Sequence, residues 1–342
     1  MTIEPILPNL LPGGGSPNDP CEFLAETTHE VSRLLRDLVR CDAYLLSAWN
    51  PMSNSHHHYT LASDGYSQAL LDHANDAYVK HNRAYALAHQ SAPRSLRWRD
   101  YQRDWHLQFT ETFVAQTHLI PAGYKEGSNM CLRLRDGRYT GTVYMSWTAP
   151  AKATDERREI TERFHGILAT VCDQLRTPRL LVETMAPDAF AMVVSLTGKA
   201  ISLPNRSPGP HLGEGGALRR LVLDRIGRRL PRRFLWADDS NVFHRVTITP
   251  CRGDLSLVIV QRATLPFGLS FREIEVLHHV ASGASNAGIA QRLCVSRRTA
   301  STHVEHILAK TGCLSRARLA AMAVSEGLLL GEDPSRSGLT PT

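Results

Sequence analysis

The stretch from Leu269 to Gly312 constrains this chain most, because start and stop signals fall inside it at intervals that leave room only for three short helices. Ser270 and Glu273 stand in S-x-x-E spacing, in which the hydroxyl and the carboxylate each satisfy a free N–H at a helix start. Behind them Ile274, Leu277, Val280 and Ala281 form an apolar stripe that stops at Gly283, which predicts a helix over 271–282. Ser285 caps a second helix with Ile289, Ala290 and Leu293 inward, and a tight turn through Cys294 and Val295 leads to Ser296, the cap of a third. There Ala300, Val304, Ile307, Leu308 and Thr311 share one face and Gly312 closes the end, while Arg297, Arg298, Ser301, Thr302, Glu305 and Lys310 lie opposite. Two short helices joined by a tight turn, the second polar at its N-terminal end, form a helix-turn-helix suited to a DNA major groove.

A length of 342 residues predicts two or three domains, so this motif is only part of the molecule. Lys+Arg 39 against Asp+Glu 33 gives a formal charge of +6, a balance that permits an anionic partner without requiring one. Apolar runs such as 189–196 and 255–260 are far shorter than the ~20 residues of a membrane span, and Met1 to Leu10 holds Glu4 and no basic residue. No membrane partner and a cytoplasmic location are therefore expected. Seven cysteines without a C-x-x-C pair fit neither a disulfide framework nor a zinc site, and read as buried thiols.

Ahead of the motif, residues 1–19 are rich in Pro and Gly and predict a disordered arm; a second such segment is expected at 331–342. Helical spacing from Phe23 to Val39 precedes a strand-like run from Asp42 to Trp49, and an aromatic helical stretch follows over 66–118. Two alternating runs, Asn129 to Arg135 and Tyr139 to Trp147, flank Asp136-Gly137, a strong hairpin signal. Ile160, Phe164, Ile167, Leu168, Val171 and Leu175 then predict one long helix with Thr154 and Asp155 as cap candidates, stopped by Pro178. A smaller α+β unit spans 179–262, with an arginine-rich patch at Arg219, Arg220, Arg225, Arg228, Arg229, Arg232 and Arg233.

The order helix, strand, helical insertion, hairpin and closing helix over 20–177 resembles a GAF-type sensor domain, and 179–262 resembles a PAS-like module. The first resemblance implies a pocket on one face of the sheet, with Tyr44, Trp98, Trp105, Phe109, Phe113, Tyr124, Met130 and Tyr144 as candidate ligand contacts and a small-molecule ligand as a candidate partner.

Residues 266–330 resemble the DNA-binding domain of the LuxR family of bacterial transcriptional regulators. The resemblance rests on Leu269-Ser-Phe-Arg-Glu-Ile-Glu-Val-Leu277, Gly283, Ser285-Asn286, Ile289-Ala290, Leu293, Val295-Ser296, Thr299, His303, Ile307, Lys310 and Arg316. It implies groove contacts by Ser301, Thr302 and Glu305, and phosphate contacts by Arg297, Arg298, Lys310 and Thr299. It also implies a fourth helix after Ser315 that pairs two copies on double-stranded operator DNA through Ala317, Ala320, Ala321 and Val324, and leaves open a contact with RNA polymerase. The sequence departs from the family at Gly288 and at Ala300-Ser301, which puts specificity rather than fold in question.

The expected fold class is thus an α+β sensor region, GAF-like and then PAS-like, followed by an all-α four-helix LuxR-type domain. The expected function is signal-tuned transcriptional regulation by a dimer; the alternative is a regulatory interaction protein that binds DNA weakly. No nucleophile, acid/base pair or cofactor loop has useful spacing, so neither an enzyme nor a cofactor is expected, and Gly198-Lys199 lacks the rest of a P-loop. Metal binding is not expected either: His303 and His306 stand one turn apart, but His303 is better read as a packing or phosphate group, and His56-His57-His58 as an exposed loop.

Overall fold

The computed structural model describes residues 20–53, 56–227 and 230–331. The expected arm at 1–19, residues 332–342 of the expected tail, and Arg228 and Arg229 of the arginine patch lie outside the described residues. The described chain forms two compact units, divided between Gln174 and Leu175. Among the described residues no helix is long and apolar enough to cross a membrane.

The first unit is built on a five-stranded antiparallel sheet of order β2-β1-β5-β4-β3, formed by β1 (Ala43–Trp49), β2 (His58–Asp64), β3 (Leu96–Arg97), β4 (Glu126–Arg133) and β5 (Tyr139–Trp147). The expected hairpin is β4–β5, pairing Met130 with Val143 and turning through Gly137 at φ 84, a conformation that glycine adopts without strain. Because side chains alternate along a strand, Leu46, Met130, Leu132 and Val143 meet α1 (Pro20–Val39), α6 (Asp155–Arg163) and α7 (His165–Cys172) on one face. The other face carries α2 (Gln68–His73), α3 (Val79–His81), α4 (Arg83–Ser91) and α5 (Trp98–Trp105); Tyr85, Trp98 and Tyr101 of these helices, with Tyr78 from the turn between α2 and α3, pack with Cys131.

The single closing helix expected from the 160–175 stripe is two helices in the structure, α6 and α7, parted at Phe164. Pro178 does not stop a helix but lies in the first turn of α8 (Arg176–Met185), where a missing N–H leaves no intrahelical bond unmade. The stripe gives periodicity, yet periodicity alone cannot register a break between two segments that share one buried face.

The second unit opens with α8 and a second antiparallel sheet of order β7-β6-β10-β9-β8: β6 (Phe190–Ser195), β7 (Ala200–Ser202), β8 (Arg233–Ala237), β9 (Phe243–Pro250) and β10 (Leu255–Arg262). One face is covered by α9 (Gly209–Leu212) and α10 (Ala217–Arg225), whose Leu212, Leu218 and Val222 pack on Phe234, Trp236 and Val258. Strand alternation turns Leu235 away from that core, and with Phe243 it joins the core of the four C-terminal helices: α11 (Phe271–Ala281), α12 (Asn286–Arg292), α13 (Arg297–Thr311) and α14 (Arg316–Ser325). Beyond α14 the chain returns to the β8 edge. Leu235 donates its N–H to Leu329 O at 2.7 Å and Gly331 donates to Leu235 O at 3.0 Å, closing a parallel bridge between Leu235 and Leu330. The protein is thus an α+β region with two antiparallel sheets, followed by a helical C-terminal domain.

Candidate nucleic-acid interface

The expected punctuation of the motif is present atom by atom. Ser270 Oγ accepts from Glu273 N while Glu273 Oε2 accepts from Ser270 N at 2.7 Å, completing the capping box of α11. Ser285 caps α12 by accepting from Gly288 N, Ser296 caps α13 by accepting from Thr299 N, and Ser315 caps α14 by accepting from Arg318 N. Cys294 turns the chain between α12 and α13 at φ 53, and Gly312 ends α13 at φ 68. Such caps fix where each helix begins, so they also fix which residues of α13 lead toward a partner.

Helix α13 is amphipathic in the expected sense. Ala300, Val304 and Ile307 are buried, whereas Arg297, Arg298, Thr299, Thr302, Glu305 and His306 are exposed. Among the described residues no carboxylate pairs with Arg297 or Arg298, so two cations stand uncompensated at the start of this 15-residue helix. Ser301 is half-buried and accepts from Asn286 Nδ2 at 2.9 Å; Asn286 Oδ1 in turn accepts from Arg316 Nη1 at 2.9 Å, and Arg316 also bonds Ala284 O. These bonds tie α12, α13 and α14 together and hold the hydroxyl of Ser301 inside the domain's own network. Lys310 is likewise engaged: its Nζ lies 2.7 Å from Glu273 Oε2 and 3.0 Å from Gly268 O. That ammonium holds the Glu273 carboxyl below the usual carboxylate range against the opposing effect of burial.

On α14, Leu319 and Ala323 are buried in the core, while Ala317, Ala321 and Val324 are exposed and Ala320 is half-buried. The structure therefore leaves an apolar stripe on the outer side of this helix, extended by the exposed Leu314. Of the arginine patch, Arg220, Arg232 and Arg233 are exposed; Arg225 donates to Gly331 O at 3.1 Å.

In the first unit a cavity of about 40 Å³ lies between the sheet and the aromatic helices, room for roughly three waters at ~10–15 Å³ each. Trp98, Phe109 and Tyr144 line it. Tyr124 and Trp105 pack in the same aromatic cluster without lining the cavity, and Phe113 is 64% exposed. Tyr44 and Met130 lie in the core on the opposite sheet face, one residue out of register with Leu45 and Asn129, which do face the cavity. Tyr66, Tyr78 and Tyr101 are not among the candidate ligand contacts expected from the sequence but line the cavity, Tyr101 donating to Asn129 Oδ1 at 2.7 Å and Tyr66 sharing a 2.7 Å bond with Ser146 Oγ. The period-two alternation of β4 was the available signal for Asn129.

Two expectations are corrected. His58 belongs to β2 and is 1% exposed, with Nε2 3.1 Å from Tyr139 Oη, rather than part of an exposed loop. Of the cysteines, Cys41, Cys131, Cys172 and Cys251 are buried thiols, but Cys294 is exposed and Cys313 half-buried.

Comparison with known proteins agrees with this geometry. Residues 268–323 match the model of bacterial regulatory proteins, luxR family. The oxygen regulatory protein NreC of Staphylococcus aureus is 41% identical over 61 residues, which are 18% of this chain and 28% of NreC. The chain spans only 6% to 28% of the length of the curated relatives it matches. Among solved structures, Escherichia coli SdiA aligns over 90% of this chain and 92% of its own at 16% identity and a TM-score of 0.30. The PixJ GAF domain of Thermosynechococcus elongatus aligns over 49% of this chain and 95% of its own at 13% identity and a TM-score of 0.36. At such scores the fold rests on the sheet orders and registers given above. Residues 268–323 thus form a helix-turn-helix domain of the LuxR family of bacterial regulatory proteins.

Proposed function

We propose that this chain is a cytoplasmic, sequence-specific transcriptional regulator that binds operator DNA as a dimer, with the N-terminal half of α13 in the major groove. The observation that carries the reading is the solvent face of α13. Arg297 and Arg298 offer exposed charge for phosphates, and Thr302 and Glu305 present groups able to accept or donate to base edges. Thr299 joins the phosphate contacts, Ser301 reaches the groove only where its bond to Asn286 is exchanged, and the exposed stripe Ala317, Ala321 and Val324, with Ala320, supports pairing of two copies through α14. Two half-sites about one helical turn apart, ~34 Å, would follow from that pairing. The aromatic cavity of the first unit supports signal tuning by a small ligand, held by Trp98, Phe109 and Tyr144, which must enlarge the present volume to enter.

Genome-wide occupancy of the purified protein at fixed salt tests this. A two-fold symmetric site is expected for the wild type, lost with Arg298→Ala and altered in sequence with Glu305→Ala. A second reading, an interaction protein with weak DNA affinity, is favoured by the internal engagement of Ser301 and Lys310. It requires no enriched site and a flat salt dependence.

A further inference from the structure

Outside the helix-turn-helix and the aromatic cavity, three ligand-bearing side chains converge in the second unit. His211 lies on α9, Asp238 follows β8 and His244 lies in β9, so three stretches of chain supply one side chain each. His244 Nε2 is 3.0 Å from Asp238 Oδ2, and His211 Nε2 is 3.7 Å from the same oxygen. One donor atom from each residue lies within 4.8 Å of the other two. The longer separation is beyond hydrogen-bond reach but close to that of two ligands sharing an ion, since donors ~2.1 Å from one metal stand about 3.0 Å apart at right angles and about 3.4 Å apart in a tetrahedron.

The carboxylate is already oriented. Its Oδ1 accepts from the backbone N–H groups of Ser240 and Val242, each at 2.9 Å, which leaves Oδ2 to face the imidazoles. The Trp236 ring stands edge-on to His211 with centroids 4.9 Å apart and tilts against His244 at 5.6 Å, walling one side. Side-chain exposures of 23% for His211, 17% for Asp238 and 10% for His244 describe a site held by its surroundings yet open to an entering ion.

We propose that His211, Asp238 and His244 bind a first-row divalent transition-metal ion, with water completing its coordination. Two imidazoles and one carboxylate suit Zn²⁺ and its neighbours rather than Mg²⁺ or Ca²⁺, and three protein ligands leave a position open to a small ligand. The ion would tie α9 to the β8–β9 hairpin. His244 adjoins Phe243, whose ring packs on Phe271 of α11 with centroids 5.4 Å apart, so the site lies one residue from the seam between the sheet and the helix-turn-helix. The site stands independently of whether the chain reads operator DNA.

The test uses the purified full-length chain stripped of metal and titrated with Zn²⁺ by calorimetry and with Co²⁺ by visible absorption. One Zn²⁺ per chain and Co²⁺ d–d bands are expected. His211→Ala and Asp238→Asn should each weaken binding at least about tenfold without altering far-ultraviolet circular dichroism, while Cys294→Ser should leave it unchanged. Asparagine keeps Oδ1 for Ser240 and Val242, and His211 is partly exposed on a four-residue helix, so both variants spare the sheet. The proposal is overturned if the wild type binds neither ion, if both ligand variants bind as tightly as wild type, or if Cys294→Ser abolishes binding. The Asp238–His244 pair then only pins the β8–β9 turn.

Discussion

At the scale of single residues, similar chemistry does different work according to burial. Arg298 and Lys310 are both cations on α13, but among the described residues no carboxylate pairs with Arg298, while Lys310 closes on the buried Glu273 of the capping box. Lys310→Ala should therefore cost about 1 kcal/mol of stability by leaving that carboxylate short of a partner, and should leave the salt slope of DNA binding nearly unchanged. Arg298→Ala should reduce the slope by about 1 with little loss of stability. Denaturant titration beside binding at several salt concentrations separates the two, and a reversed pattern would refute the assignment. In the first unit, burial and then the neighbouring His56, His57 and His89 hold the His58 imidazole down to about 3. An unfolded histidine titrates near ~6.5, so above that pH neither state carries the proton; below it only the unfolded chain does, and stability falls as pH drops from about 6.5 toward 3. Between pH 6.5 and 5 this amounts to about 2 kcal/mol. His58→Gln should flatten that part of the loss in urea unfolding curves, whereas identical pH slopes would count against it.

At the scale of elements, the helix-turn-helix is held by its caps more than by its propensities. Helix α12 has seven residues and carries Gly288 in its interior, a residue that weakens helices by about 1 kcal/mol relative to alanine. A Cβ built there would meet only Ser285 Oγ at 3.6 Å and Ala284 Cβ at 3.8 Å, ordinary contact distances. Gly288→Ala is thus expected to raise stability by about 0.5–1 kcal/mol, read as a higher denaturation midpoint. A loss of stability would mean that the added methyl strains the start of α12 against Ser285 or Ala284. The same caps explain why this region was legible: Ser270, Ser285, Ser296, Ser315 and Gly312 act on the backbone within three or four residues of themselves, so their meaning does not depend on distant chain. The 160–175 stripe was less so, because one apolar face is compatible with one helix or with two in line.

At the scale of the whole molecule, residues far apart in the chain decide what the second unit is. Leu235 and Phe243 of the sheet are buried with Ile274, Leu277 and Leu328, and Leu329 to Gly331 pair with the β8 edge, so the sheet and the helix-turn-helix share a core. Leu235→Ala should cost about 2–5 kcal/mol and raise hydrogen exchange in β8 and α11 together. Exchange rising in β8 alone would show two independent folding units. The sequence by itself determined the helices of the C-terminal domain and the β4–β5 hairpin, because caps, glycine turns and side-chain periodicity are local and each leaves its mark within one or two turns of chain. It also placed the exposed face of α13, since burial of Ala300, Val304 and Ile307 leaves Arg297, Arg298 and Glu305 no other side. Only the tertiary structure decided which strand face meets which layer, and hence that Tyr44 and Met130 turn away from the cavity while Tyr66, Tyr78 and Tyr101 surround it. It alone brought His211, Asp238 and His244 together, because a one-residue change of strand register inverts every side chain and nothing local records which register the distant partner imposes.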